Sequence, residues 1–378
     1  MSSGETSPGA GAGPPTAAGP PYLPTTAGLG GTPTPKVDDP VCAVLLVFFV
    51  AAAATNMTIF QINRRRDHKF VFSAMLFGFC MARITALVMR IVWASRPHNV
   101  RIAIAGNILT LAGVVLLFLV NLLFAQRLLR AYRPRVGWHR AVTLVFRFLF
   151  VSIVACLLML IAATVDSFYT LNPSTRLIDR KIQLVGSTWY ALLAFLPLPI
   201  VLLTVYLPPR PPFHGPVEPF GHGRLATKVR LLLFTSTLLA LGAGFRAGAN
   251  FDARPLVRPA WFDNKPSYYC FNYVIELIVV YTYTIARFDK RFHVPNGASA
   301  PGHYAAGSGL AGMTDTTTGG GGLQRKPSLA DRVNTEAEVF GAGNERDIPT
   351  NAAMEEKAKD WDAQARDELQ KEDDGEAV

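Results

Sequence analysis

The chain has 378 residues, of which half are hydrophobic and 17% are charged, against about 25% charged in an ordinary soluble protein. Mean hydropathy is +0.25 although both ends are polar, so the middle is far more apolar than the mean. Whole-chain disorder is excluded, and four Cys are too few for a disulfide-rich secreted scaffold. An integral, all-α membrane protein remains.

The net charge of +10 is unevenly placed. Residues 1–293 carry 29 Lys and Arg against 11 Asp and Glu, a net of +18, whereas residues 294–378 carry 8 against 16, a net of −8. A sequence pI near 9.6 would suit nucleic-acid binding. Here, however, the basic residues sit in short turns between apolar runs, so the expected partner is the lipid bilayer and no nucleic acid.

Residues 1–39 form a Gly-, Pro- and Thr-rich N-terminal tail. Its first 35 residues cannot bury enough apolar area to offset their ordering entropy and read as disordered. The tail lacks the basic and early apolar regions of a cleaved signal peptide, so the first membrane helix is expected to act as the targeting signal. Residues 40–293 then hold seven apolar stretches near the ~20 residues needed to cross ~30 Å of hydrocarbon. They lie at about Pro40–Gln61, Phe70–Trp93, Ile102–Ala125, Ala141–Phe168, Ile182–Leu207, Val229–Phe251 and Tyr268–Arg287. Backbone groups in lipid must be satisfied internally, so each is expected to be helical. Pro197 and Pro199 should kink the fifth. Gly242, Gly244, Gly248 and Arg246 make the sixth the weakest.

The turns between stretches one and two, three and four, five and six, and after seven carry sixteen Lys and Arg, and the opposite side carries nine. The bias puts the N-terminus outside and the C-terminus in the cytosol. Residues 294–378 are then a cytosolic, largely disordered acidic tail with a helix-prone stretch at 352–374. Within it Ser328 follows Arg325-Lys326-Pro327, a candidate phosphosite for a basic-directed kinase. Phosphate there would add about −1.5 to −2 charge.

Several segments are similar to an uncharacterised fungal seven-transmembrane family whose members are often labelled family C-like G-protein-coupled receptors. They include Phe77-Gly78-Phe79-Cys80-Met81-Ala82-Arg83, Phe195-Leu196-Pro197-Leu198-Pro199 and Phe220-Gly221-His222-Gly223-Arg224. Gly244-Phe245-Arg246-Ala247-Gly248, Tyr269-Cys270-Phe271-Asn272 and Arg291-Phe292-His293-Val294-Pro295 continue the set. The resemblance covers roughly residues 20–305. It implies a seven-helix fold and a receptor label, without a mechanism.

Ionisable groups at membrane depth cost about 2.5–3.5 kcal/mol on insertion scales and mark functional sites by default. Arg83 and Arg90 are seven residues apart and share a face of the second helix; Arg246 lies in the sixth, and Glu276 in the seventh with Asn272 and Tyr283 on its face. These groups form either an interior ion-pair network that fixes packing or the wall of a polar ligand cavity, and the two can coexist. Glu276 is expected to pair with Arg246, because their helices are sequential and antiparallel. Arg83 and Arg90 are then surplus cations that call for an anionic lipid or an acidic small-molecule ligand. Asn107, Thr110 and Asn121 on the third helix either line the same cavity or bond between helices.

No His lies within any apolar stretch and no Lys lies within the seventh. An intramembrane metal centre, a b-type haem and a retinal Schiff base are therefore not expected, nor is a catalytic triad. Neither enzymatic activity nor a cofactor is anticipated. Cys42 and Cys270 both map to one membrane boundary, at the starts of helices one and seven. They are either a disulfide between neighbouring helices or two unpaired thiols.

The leading expectation is a receptor-like plasma-membrane protein. It senses a small polar or amphipathic ligand in the bundle and signals through its cytosolic loops and tail, with a heterotrimeric G protein as the cytosolic partner. A lipid- or solute-translocating protein is the alternative, and a membrane scaffold is the third.

Overall fold

The computed structural model describes residues 19–22, 26–65, 70–97, 99–207, 217–256, 258–294 and 304. Ser328 and the helix-prone stretch 352–374 lie outside them. Every named element among the described residues is helical. In chain order they are α1 (Pro35–Arg65), α2 (Val71–Ser95), α3 (Val100–Tyr132), α4 (Arg140–Tyr169), α5 (Pro173–Phe195 continued by Pro197–Tyr206) and α6 (Leu225–Phe251). The last of the set, α7, runs through Lys265–Tyr269, a π-helical turn at Cys270–Val274, and Ile275–Ile285. Single turns at Pro134–Gly137 and Phe288–Arg291 follow α3 and α7.

Helix starts follow from local chemistry. Proline takes the first position of α1 and α5, where its missing N–H is no loss. The Asp38 carboxylate accepts from Thr34 N at 2.8 Å, Asn172 Oδ1 from Ser174 N at 3.0 Å, and Asn264 Oδ1 from Ser267 N at 3.1 Å. Arg64 and Arg65 close α1 where the helix dipole favours cations. The two prolines interrupt the hydrogen-bond ladder of α5 at Leu196, which itself keeps helical dihedrals of φ −55° and ψ −36°.

Six helices, α1 to α6, are long and apolar enough to cross a membrane. Helix α7 is not counted with them, because its π-helical turn divides it into shorter segments.

Neighbours in sequence are neighbours in space, and α7 returns to α1, so the helices close a ring. Helix α3 also packs on α5 and α6 and is the most buried of the six spans. Its Val114, Leu117, Phe118, Leu122, Phe124 and Leu128 form the middle of the core. By contrast, α4 turns Leu144, Val145, Phe148, Val151, Val154 and Leu158 outward. An apolar face of that extent is unsuited to water and suited to lipid. Because lipid is as apolar as leucine, helix association rests on close packing and polar links. Gly186 supplies the former: a Cβ there would stand 2.5 Å from Leu160 Cδ2, so the glycine lets the Leu160 side chain of α4 pack directly on α5.

Residues 26–34 depart from the expected disorder. They lie across the end of the bundle where α1 begins and are tied to the α6–α7 connection: Ala27 N donates to Arg254 O at 2.8 Å and Gly30 N to Asp263 O at 2.9 Å. Backbone pairing, with Leu29 packed against the core, supplies the order. Gly30 has φ +78°, and a Cβ on it would meet the Tyr268 ring at 2.6 Å.

Candidate functional site

The deep charges converge between α2, α3, α6 and α7. Arg83 Nε donates to Glu276 Oε2 at 2.6 Å, and Arg246 Nη1 donates to Glu276 Oε1 at 3.2 Å. One carboxylate thus bridges two guanidinium groups. Exposure is 0% for the Arg83 side chain, 1% for Glu276 and 18% for Arg246, so the arrangement is closed except along Arg246. The expected Glu276–Arg246 pair is present, but the expectation that Arg83 stands surplus is corrected. It takes the shorter bond, its side chain reaching from α2 across the bundle to α7.

The π-helical turn shapes this meeting point. The extra residue it accommodates re-aims the side chains at the head of α7, a feature common at functional sites. Tyr268, Tyr269, Asn272, Tyr273 and Glu276 are all buried. Asn272 Nδ2 donates to Tyr268 O at 3.0 Å while its Oδ1 faces Arg246 Nη1 at 3.4 Å. Phe245 of α6 stacks on Phe271 at 3.8 Å, which fixes the α6–α7 register beside Arg246. On the α3 side, Arg83 Nη1 donates to Thr110 O at 2.7 Å, and Thr110 Oγ1 lies 3.2 Å from Tyr273 OH. Gly113 leaves room for the guanidinium, whose Cζ would be 3.3 Å from a Cβ at that position. The rings of Phe79 and Tyr273 lie 5.4 Å from it.

Arg90 belongs to a second cluster, about two turns along α2 from Arg83 and nearer the start of α1. Its Nε and Nη2 donate to Asp38 Oδ1 at 3.1 and 3.0 Å, and its Nη2 also donates to Gly30 O at 2.8 Å. Lys265 Nζ and Tyr269 OH bond the same carboxylate, each at 2.6 Å. The expectation that Arg90 is surplus is therefore corrected too. Asp38 reads in sequence as a solvent-side residue at a helix start, and nothing local signals its burial. Its two oxygens serve the helix cap and the ion pairs together.

Asn107 does not join either cluster. It is exposed, at the rim of a small recess shared with Met89, Trp93 and Tyr268. Among its α3 neighbours, Thr110 bonds as above and Asn121 Nδ2 donates to Ser236 Oγ at 3.0 Å, so interhelical bonding is the role they take. The alternative of a Cys42–Cys270 disulfide is likewise corrected: both thiols are free. Cys42 faces inward, 3.2 Å from Tyr269 OH, and the next residue on α7, Cys270, is rotated about 100° away to the exposed side.

At the opposite end, the residues after α7 fold back under the bundle. Phe292 stacks on Phe124 at 4.1 Å and accepts a bond at its carbonyl from Arg127. Asp289 is fully buried and receives Asn63 Nδ2 at 3.1 Å and both Arg287 Nε and Nη2 at 3.1 Å. Burial would raise the Asp289 pKa, but the bonds from Arg287 and Asn63 hold it below the usual carboxylate value. Among the described residues no three His, Cys, Asp or Glu side chains converge on a point where a metal ion could sit.

Helices of bilayer length, apolar outward faces and ionised groups turned inward define a multi-pass membrane protein. Residues 222–293 match the model of a family described as Protein of unknown function (DUF3112), a stretch that takes in α6, α7 and the returning Phe292. No curated protein and no solved structure matches the chain.

Proposed function

We propose that this is a receptor-like protein of the plasma membrane with seven spans, α7 being the seventh, its N-terminus outside and its C-terminus cytosolic. The excess of Lys and Arg in the turns at the Arg64 and Arg287 end supports that orientation. The Arg83–Glu276–Arg246 bridge then lies in the outer half of the membrane. It senses a small polar or amphipathic ligand and signals through the basic cytosolic turns and the tail to a heterotrimeric G protein. The resemblance to the fungal receptor-like family agrees with this reading.

The observation that carries it is the carboxylate of Glu276 held at 1% exposure between arginines of two different helices. A charge-bridged contact is a natural two-position element: a ligand that competes for either arginine shifts α6 against α2, and a helix shift is how a bundle transmits a signal.

Two measurements test it. Single-cysteine labelling should find position 20 accessible from outside and position 340 only from inside. Detergent-solubilised chain should recover heterotrimeric G-protein subunits without stoichiometric lipid. Lipid recovered without G protein would replace signalling by lipid translocation, and recovery of other cytosolic proteins alone would point to a scaffold.

A further inference from the structure

We infer that the Arg83–Glu276–Arg246 bridge is one half of an anion site, and that its ligand is an oxyanion of single negative charge, a carboxylate or a phosphodiester. The inference rests on the sensing function proposed above and names its ligand class.

Charge is the first argument. Two guanidinium groups share one carboxylate, which leaves one excess positive charge, and arginine does not escape by losing its proton. No second carboxylate lies within ion-pair distance of either arginine among the described residues. Asp38 is committed to Arg90, Lys265 and Tyr269. The aromatic faces of Phe79 and Tyr273 soften the excess without cancelling it. An uncompensated charge at this depth is unfavourable.

Unspent donors are the second argument. Arg83 Nη2 is buried without any hydrogen-bond partner, although the side chain is 0% exposed. Arg246 uses only Nη1 toward the protein, on Phe271 O, Asn272 Oδ1 and Glu276 Oε1. Arg246 is also the one member of the bridge that is partly open. An anion arriving along that edge meets a planar fork with free N–H groups, and that geometry fits the paired oxygens of a carboxylate or phosphate better than a spherical ion.

The test is thermal unfolding of the full chain in dodecyl maltoside micelles, which carry no phosphate, with three probes at matched ionic strength: sodium butyrate, sodium chloride, and phosphatidylglycerol mixed into the micelle. Saturable stabilisation by butyrate identifies a soluble carboxylate as the source, and stabilisation by phosphatidylglycerol identifies a lipid phosphate. Arg246→Gln removes the excess charge and leaves a neutral Arg83–Glu276 pair, so it should fold and lose the response. Arg246→Lys should keep a weakened one. Glu276→Gln raises the excess charge and should tighten binding on the order of tenfold. Equal shifts with chloride, no saturable shift with either oxyanion, or a response unchanged in Arg246→Gln would each overturn the inference. If Arg246→Gln does not fold, the wild-type comparison of butyrate with chloride and the Arg246→Lys titration decide. The readout is binding alone. Oxyanion binding without G-protein recovery sinks only the signalling proposal, and G-protein recovery without an oxyanion shift sinks only this inference.

Discussion

Arg83 and Glu276 are separated by 193 positions in the chain, yet Arg83 Nε stands 2.6 Å from Glu276 Oε2 with both side chains closed to solvent. The pair joins α2 to α7 across the ring, and Arg246 adds α6 at the other oxygen. A buried pair of this kind is weak evidence for net stability, but breaking one partner is costly because it strands the other.

Accordingly, Glu276→Gln, which leaves two arginines without a carboxylate, should destabilise the folded chain by roughly 3–5 kcal/mol, and Arg83→Met, which leaves Glu276 paired with Arg246, by less. The double change should recover part of the loss, with a coupling of about 0.5–3 kcal/mol. Chemical unfolding of the four proteins in one detergent measures it; strictly additive losses would show that the contact is not energetically coupled.

Gly113→Ala tests the same site from α3. Its new methyl group would press on the Arg83 guanidinium from 3.3 Å, so the arginine must shift by a few tenths of an ångström and weaken its bond to Glu276. The expected outcome is a loss of about 1–3 kcal/mol, the usual range for overpacking. In an Arg83→Met background the same change should cost less, which a stability cycle would reveal.

Thiol chemistry separates the two boundary cysteines. Cys270 is exposed and Cys42 is fully buried against Tyr269. A membrane-permeant maleimide should modify Cys270 in the native protein and Cys42 only after unfolding. Reductant should change neither rate. Protection of Cys270 that reductant relieves would restore the disulfide.

Asp289 gives a pH signature. Its folded-state pKa lies below the unfolded value, so its contribution is fully present above the ordinary carboxylate range and is lost as pH falls through the folded pKa. Wild-type stability should therefore decline on acidification below the usual carboxylate pKa more steeply than that of Asp289→Asn. At neutral pH the variant should be the less stable of the two, because Arg287 loses its counter-charge and one of the two acceptor oxygens becomes an NH2 donor. Parallel pH curves for the two proteins would refute this assignment.

Gly30→Ala addresses the strap over the bundle. A Cβ would collide with Tyr268 and strain a positive φ. The segment should lift, removing the Gly30 O acceptor from Arg90. Limited proteolysis at residues 26–34 should then be faster than in the wild type, and an unchanged rate would show that the strap does not depend on this contact.

Run length and hydropathy alone locate the six helices of spanning length, because a lipid-exposed backbone has only itself to bond with and the bilayer sets the span. The proline break in α5 and the inward burial of Arg83, Arg90 and Glu276 follow from the same local rules. The partners of those charges do not. Arg90 finds Asp38 and Arg83 finds Glu276 because the ring closes α1, α2 and α7 around a common point, and no spacing within one helix encodes that closure. The π-helical turn is also a tertiary outcome, for it trades a regular helix for the burial of Tyr269, Asn272, Tyr273 and Glu276 on one side. The order of residues 26–34 arises in the same way, since this segment has little apolar surface of its own beyond Leu29 and becomes fixed when the core receives that side chain, another segment offers backbone partners and Arg90 reaches its carbonyl.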